Sequence, residues 1–111
     1  MARFLVVVSS GEKPKSLLAL RWAAAAISNG WADDVDVVFF GPAEDFLARG
    51  DPDFYEAIKA LQSQGKEPIA CERFAQAAGY LDTLAKRGIR TGYVGEIIAR
   101  KTAEGYTPLV F

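Results

Sequence analysis

Histidine is absent from this chain, and cysteine occurs once. The first absence excludes a Ser–His–Asp triad and any imidazole base. Together the two leave zinc and iron–sulfur centres without their usual ligands, so neither a metal nor another cofactor is expected. One cysteine cannot close a disulfide within a chain, which removes the framework of small secreted proteins. Long apolar runs are lacking too. The opening run Phe4-Leu5-Val6-Val7-Val8 turns polar at Ser9, short of a signal peptide's apolar region and far short of the about 20 residues of a membrane span. A cytoplasmic protein with no membrane partner is therefore expected. An excess of one charge is also missing, since 13 basic residues stand against 14 acidic ones. No basic block occurs, so nucleic acid is not an expected partner. Asp33, Asp34 and Asp36 lack the further ligands of a calcium loop and read as a solvated turn.

What is present is an ordinary globular composition of 111 residues, half of them hydrophobic, which fits one domain over 1–111. The pattern alternates between strands and helices. Phe4 to Val8 is β-branched, short and continuous, as in a buried parallel strand. Pro14 stands near the start of a helix over Lys15 to Ser28, which Asn29-Gly30 ends. The helix is rich in alanine, which suits close packing. A second strand covers Asp36 to Phe40 and stops at Gly41-Pro42. A helical turn over Ala43 to Ala48 follows, then a helix opened by Asp51-Pro52 with Phe54, Ile58 and Leu61 at helical spacing.

The third strand is expected over Glu67 to Cys71, with a helix over Arg73 to Ala78. A short helix over Asp82 to Arg87, capped by Asp82, leads to a fourth strand over Ile89 to Val94, weakened by Gly92. The last helix spans Gly95 to Ala103 and the last strand Tyr106 to Phe111. Five strands separated by helices imply a three-layer α/β/α sandwich around a mainly parallel sheet with right-handed crossovers. Trp22 and Trp31 read as core or subunit-contact residues. Phe46, Phe54 and Tyr55 read as exposed, making an interface plausible.

Ligands of such sheets bind beyond the carboxyl ends of the strands, here Ser9-Ser10-Gly11, Gly41-Pro42, Cys71-Glu72 and Val94-Gly95. Cys71 is the conspicuous nucleophile among them. It stands between a strand and a helix, where the partial positive charge of the helix amino end favours the thiolate. A lone cysteine is more often a buried, inert hydrophobe, and placement is what sets Cys71 apart. The amides of Glu72, Arg73 and Phe74 are candidate donors to a thiolate. Arg73 can add positive charge or simply face solvent. Glu72 can oppose the thiolate but suits the helix amino end better. The amides of Ser9, Ser10 and Gly11 can hold an anion, yet the segment lacks the spacing of a phosphate loop and reads better as a plain turn. Gly41 can lend backbone to a pocket, and Tyr93 and Gly95 can line it.

These residues resemble the DsrE/DsrF-like family of small sulfur-relay proteins, with the fold also called YchN-like. The resemblance rests on the Phe4-to-Ser10 strand and its Ser-Gly turn, the alanine-rich first helix, and Val37-Val38-Phe39-Phe40-Gly41. It extends to Pro68-Ile69-Ala70-Cys71 with the short helix ending at Gly79, and to Glu104-Gly105 before a strand ending in Phe111. It implies a persulfide carried on Cys71, homo-oligomers (trimers or hexamers) with sites near subunit contacts, and protein donors and acceptors of sulfur. Many relatives carry a second cysteine soon after the first, where this chain has Glu72, Arg73 and Phe74. Relay on a single thiol is thus the expected function, and a non-catalytic oligomeric module binding a small molecule or protein at the same strand ends is the alternative.

Overall fold

The computed structural model describes residues 2–111. In chain order the elements are β1 (Arg3–Val8), α1 (Lys13–Ser28), β2 (Asp34–Phe39), α2 (Glu44–Ala48), α3 (Pro52–Ser63), β3 (Ile69–Cys71), α4 (Glu72–Ala78), α5 (Leu81–Lys86), β4 (Arg90–Gly92), α6 (Val94–Ala103) and β5 (Thr107–Val110). The strands form one sheet in the order β4-β3-β2-β1-β5, and every pairing in it is parallel.

Strand alternation sorts the apolar side chains between two faces. Val6, Val8, Val35, Val37 and Phe39 share one cluster with Leu20 of α1, Leu61 of α3 and Leu84 of α5. Leu5, Val7, Val38 and Cys71 share the other with Val94 of α6 and with Tyr106. The chain steps in one direction from β1 to β4, so right-handed crossovers place α1 to α5 on the first face. The return from β4 to β5 runs the opposite way along the sheet and puts α6 on the second. Ala19, Ala23 and Ala26 are fully buried, and these small side chains let α1 lie close over β1 and β2.

Several expectations are corrected. β3 and β4 are three residues each, shorter than expected: β3 begins at Ile69, and β4 stops at Gly92 with Val94 drawn into the core as the first residue of α6. Tyr80, and not Asp82, occupies the cap position of α5, leaving Asp82 in the first turn, where its charge complements the helix amino end. Phe46 and Phe54 are not exposed: their rings stack at 4.7 Å, and Phe39 lies 6.5 Å from Phe54. Tyr55 is half-buried and donates its hydroxyl to the Leu47 carbonyl at 2.7 Å. Trp22 packs edge-on against Phe4 at 5.4 Å, whereas Trp31 stands largely in solvent.

The aspartates form no simple solvated turn. Asp34 and Asp36 lie on β2, where Lys66 pairs with both, Lys101 reaches Asp36 at 2.7 Å, and Tyr106 donates its hydroxyl to Asp34. Burial works to raise the Asp34 carboxyl, but the hydrogen bonds from Lys66 and Tyr106 outweigh it and hold the group below its ordinary range. This network ties the amino ends of β2, β3 and β5 to α6.

Two expected outcomes follow from these contacts. Phe54→Ala opens a cavity beneath two aromatic neighbours and should cost about 3–5 kcal/mol in urea unfolding. Lys66→Met removes a cation whose side chain is 26% exposed, so solvent screening limits the loss to ~1 kcal/mol. The depressed Asp34 carboxyl adds stability above its ordinary value of 3.8 and loses it as the pH falls through the lower folded value. The gap between wild type and Lys66→Met is therefore full at neutral pH and closes in acid, which unfolding curves across pH would show.

Candidate functional site

Cys71 ends β3 and is at once the cap residue of α4, with an extended backbone (φ −71°, ψ 115°) and no capping hydrogen bond from its side chain. It pairs with Gly92 of β4. A Cβ at Gly92 would stand 3.3 Å from Ile69 Cγ2, so glycine there lets β4 close against β3. The helix that follows has seven residues and ends at Gly79 with φ 85°, a left-handed cap that suits glycine. Alternation turns the Cys71 side chain toward α6, where only 5% of the residue is exposed.

A cavity of about 540 Å³ opens beside Cys71. Phe40, Phe74 and Tyr93 give it aromatic walls, Val94 and Gly95 bring the start of α6, and Arg73 and Glu96 supply charge. Its location follows from topology. Successive connections leave β3 toward one face and β4 toward the other, and a crevice opens where neighbouring strands diverge in this way. The first turn of α6 lacks a side-chain cap, so its amino end contributes unfilled N–H groups to the same region.

Of the residues singled out in the sequence, Arg73, Tyr93 and Gly95 line this cavity with Cys71. Ser9, Ser10, Gly11, Gly41 and Glu72 do not. The Ser9 and Ser10 amides both donate to the Phe111 carbonyl, at 2.8 and 2.9 Å, and are thereby committed. Gly11 and Gly41 belong to the neighbouring turns. Gly41 has φ 115°, and a Cβ on it would meet Ser9 Oγ at 3.0 Å, so this turn needs glycine on two counts. Glu72 sits half-buried in the first turn of α4.

Sequence reasoning missed Glu44. Its residue is fully buried in α2, and one carboxyl oxygen, Oε1, has no hydrogen-bond partner. The Gly41 N–H approaches Oε2 at a long 3.5 Å. Burial drives the carboxyl up to about 7, against the smaller opposing effect of the Gly41 and Cys71 N–H groups that face it. A usable signal existed: Glu44 precedes Leu47 by three positions, so it falls on the buried stripe of its short helix.

The chain matches the DsrE/DsrF-like family over residues 2–111. No curated protein matches it. Among solved structures it is similar to a conserved protein of unknown function from Bacteroides thetaiotaomicron, with a TM-score of 0.84 at 16% identity, covering 98% of this chain and 94% of that one. It is also similar to a protein of unknown function from Methanobacterium thermoautotrophicum, with a TM-score of 0.74 at 21% identity and full coverage of both chains. At such identities these two likenesses speak for the fold alone, while the match over residues 2–111 establishes that the chain belongs to the DsrE/DsrF-like family.

Proposed function

We propose that the protein carries a sulfane sulfur as a persulfide on Cys71 and relays it between partner proteins. The observation that carries this reading is a thiol free of capping bonds, set at the strand end where the cavity of about 540 Å³ opens. In the transfer, the Cys71 thiolate attacks the terminal sulfur of a donor persulfide. The bond between the donor's two sulfurs breaks, and the donor leaves as a thiolate that takes up the proton Cys71 released. Nothing is oxidised or reduced overall. The uncapped amino end of α6 and the Arg73 side chain line the cavity that an incoming sulfur donor would enter. With no second cysteine in the chain, the sulfur departs to an external thiol and not through an internal disulfide.

Family membership supports the same reading, as do the aromatic walls beside Cys71. Phe40 and Tyr93 are 40% and 62% exposed at this cavity. That exposure supports assembly of a trimer or hexamer whose copies meet near the site, and sedimentation should give such a mass for the wild type and a smaller one for Tyr93→Asp. A monomeric wild type would remove the assembly from the proposal.

A second reading draws on the 5% exposure of Cys71: a module that binds a small apolar ligand or a protein at the cavity without sulfur chemistry. Intact mass separates the two. After incubation with polysulfide or thiosulfate the wild type should gain about 32 Da, one sulfur, reversible by a reducing thiol. Cys71→Ser should gain nothing. An unchanged wild type, or an equal gain on Cys71→Ser, leaves only the binding module.

A further inference from the structure

We propose that Glu44 is a positioning residue whose charge state governs the reactivity of Cys71. Glu44 and Ser16 are the fully buried polar residues among those described, and they differ in kind. Ser16 donates its hydroxyl to the Ser10 carbonyl. Glu44 has an unfilled oxygen, one long contact to Gly41, and the Cys71 N–H facing it as a second backbone donor.

The carboxyl thus sits between the ends of two adjacent strands, β2 and β3. Gly41 follows Phe40, a wall of the cavity, and Cys71 is its thiol. Charged, the carboxylate attracts both N–H groups and draws the two strand ends together. It also sets a negative charge against the backbone of the residue that carries the thiol. Neutral, it releases both effects.

The neighbours leave this choice open. Asp45, on the same helix, adds a like charge. Tyr80, from the junction of α4 and α5, commits its hydroxyl to Asp45 at 2.8 Å and stays protonated through the neutral range. Glu44 forms no ion pair with any cation among the described residues. Its carboxyl, pushed up to about 7 by burial, therefore populates both states near neutral pH.

The proposal deepens the sulfur-carrier reading and takes its biological meaning from it, but the test uses no sulfur donor. Alkylation of Cys71 by iodoacetamide is followed by intact mass between about pH 5.5 and 9. The wild-type rate should show an inflection near pH 7 that is missing from Glu44→Gln. At pH 8 the variant should react at least about threefold faster, because one negative charge fewer opposes the thiolate. Superimposable profiles would overturn the proposal. A second measurement needs no change at Glu44: in Cys71→Ser, where no thiol titrates, the Gly41 amide resonance should still shift with a midpoint near pH 7. A Gly41 resonance that stays flat would overturn the proposal independently. A protein that takes up no sulfur yet shows both titrations would lose the carrier reading and keep the role of Glu44.

Discussion

Parallel strands can be joined only by crossing over a face of the sheet, and the crossing has one hand. That constraint fixes where this protein has a crevice. From β1 to β4 the chain advances in a single direction, and its connecting helices accumulate on one side. To add β5 beyond β1, it must reverse, and the reversal throws α6 onto the other side. The connections after β3 and β4 therefore part at the carboxyl edge of the sheet. Cys71 is the last residue of one of these strands and Tyr93 follows the last residue of the other, so the crevice and the thiol coincide for a topological reason.

The same constraint explains what could be read from the sequence. Continuous apolar runs and glycine or proline stops revealed the five strands and the main helices. The turn from Ala70 to Glu72 revealed the position of Cys71. Shorter features were less legible. A helix of five residues such as α2 shows little more than one turn, so the spacing of Glu44 and Leu47 is the one local sign that Glu44 faces inward. Phe46 and Phe54 belong to different helices, and their stacking exists only once α2 has folded back on α3. The Ser9 and Ser10 amides find their acceptor at Phe111, at the far end of the sequence, where no local pattern can announce it. Phe40 and Glu96 joined the cavity through the arrangement of the strand ends, a property of the sheet and not of any segment.

The two edges of the sheet are built on opposite electrostatic terms. At the amino edge, Asp34 and Asp36 meet Lys66, Lys101 and Tyr106, so each carboxylate has a cation or a donor close by. Such partly exposed pairs add modestly to stability and hold strand ends in register. At the carboxyl edge, the Cys71 side chain forms no capping bond, the start of α6 is uncapped, and Glu44 keeps an oxygen without a partner. Polar groups left open in this way are costly when buried.

Part of that cost falls beside one thiol, and another part on the buried Gln64 Oε1 beyond the end of α3. A buried carboxyl with an empty acceptor would be replaced at little loss of packing by an apolar side chain of similar volume if stability were the sole requirement. Its position places it against the backbone of Cys71 and against the turn that carries Phe40, the two walls a reacting sulfur would touch. The fold tolerates this, because the paired network at the amino edge and the stacked Phe46 and Phe54 hold the same strands and helices independently. The paired carboxylates lie at one end of the sheet and the thiol with its cavity at the other, and the all-parallel order of the strands is what keeps them apart.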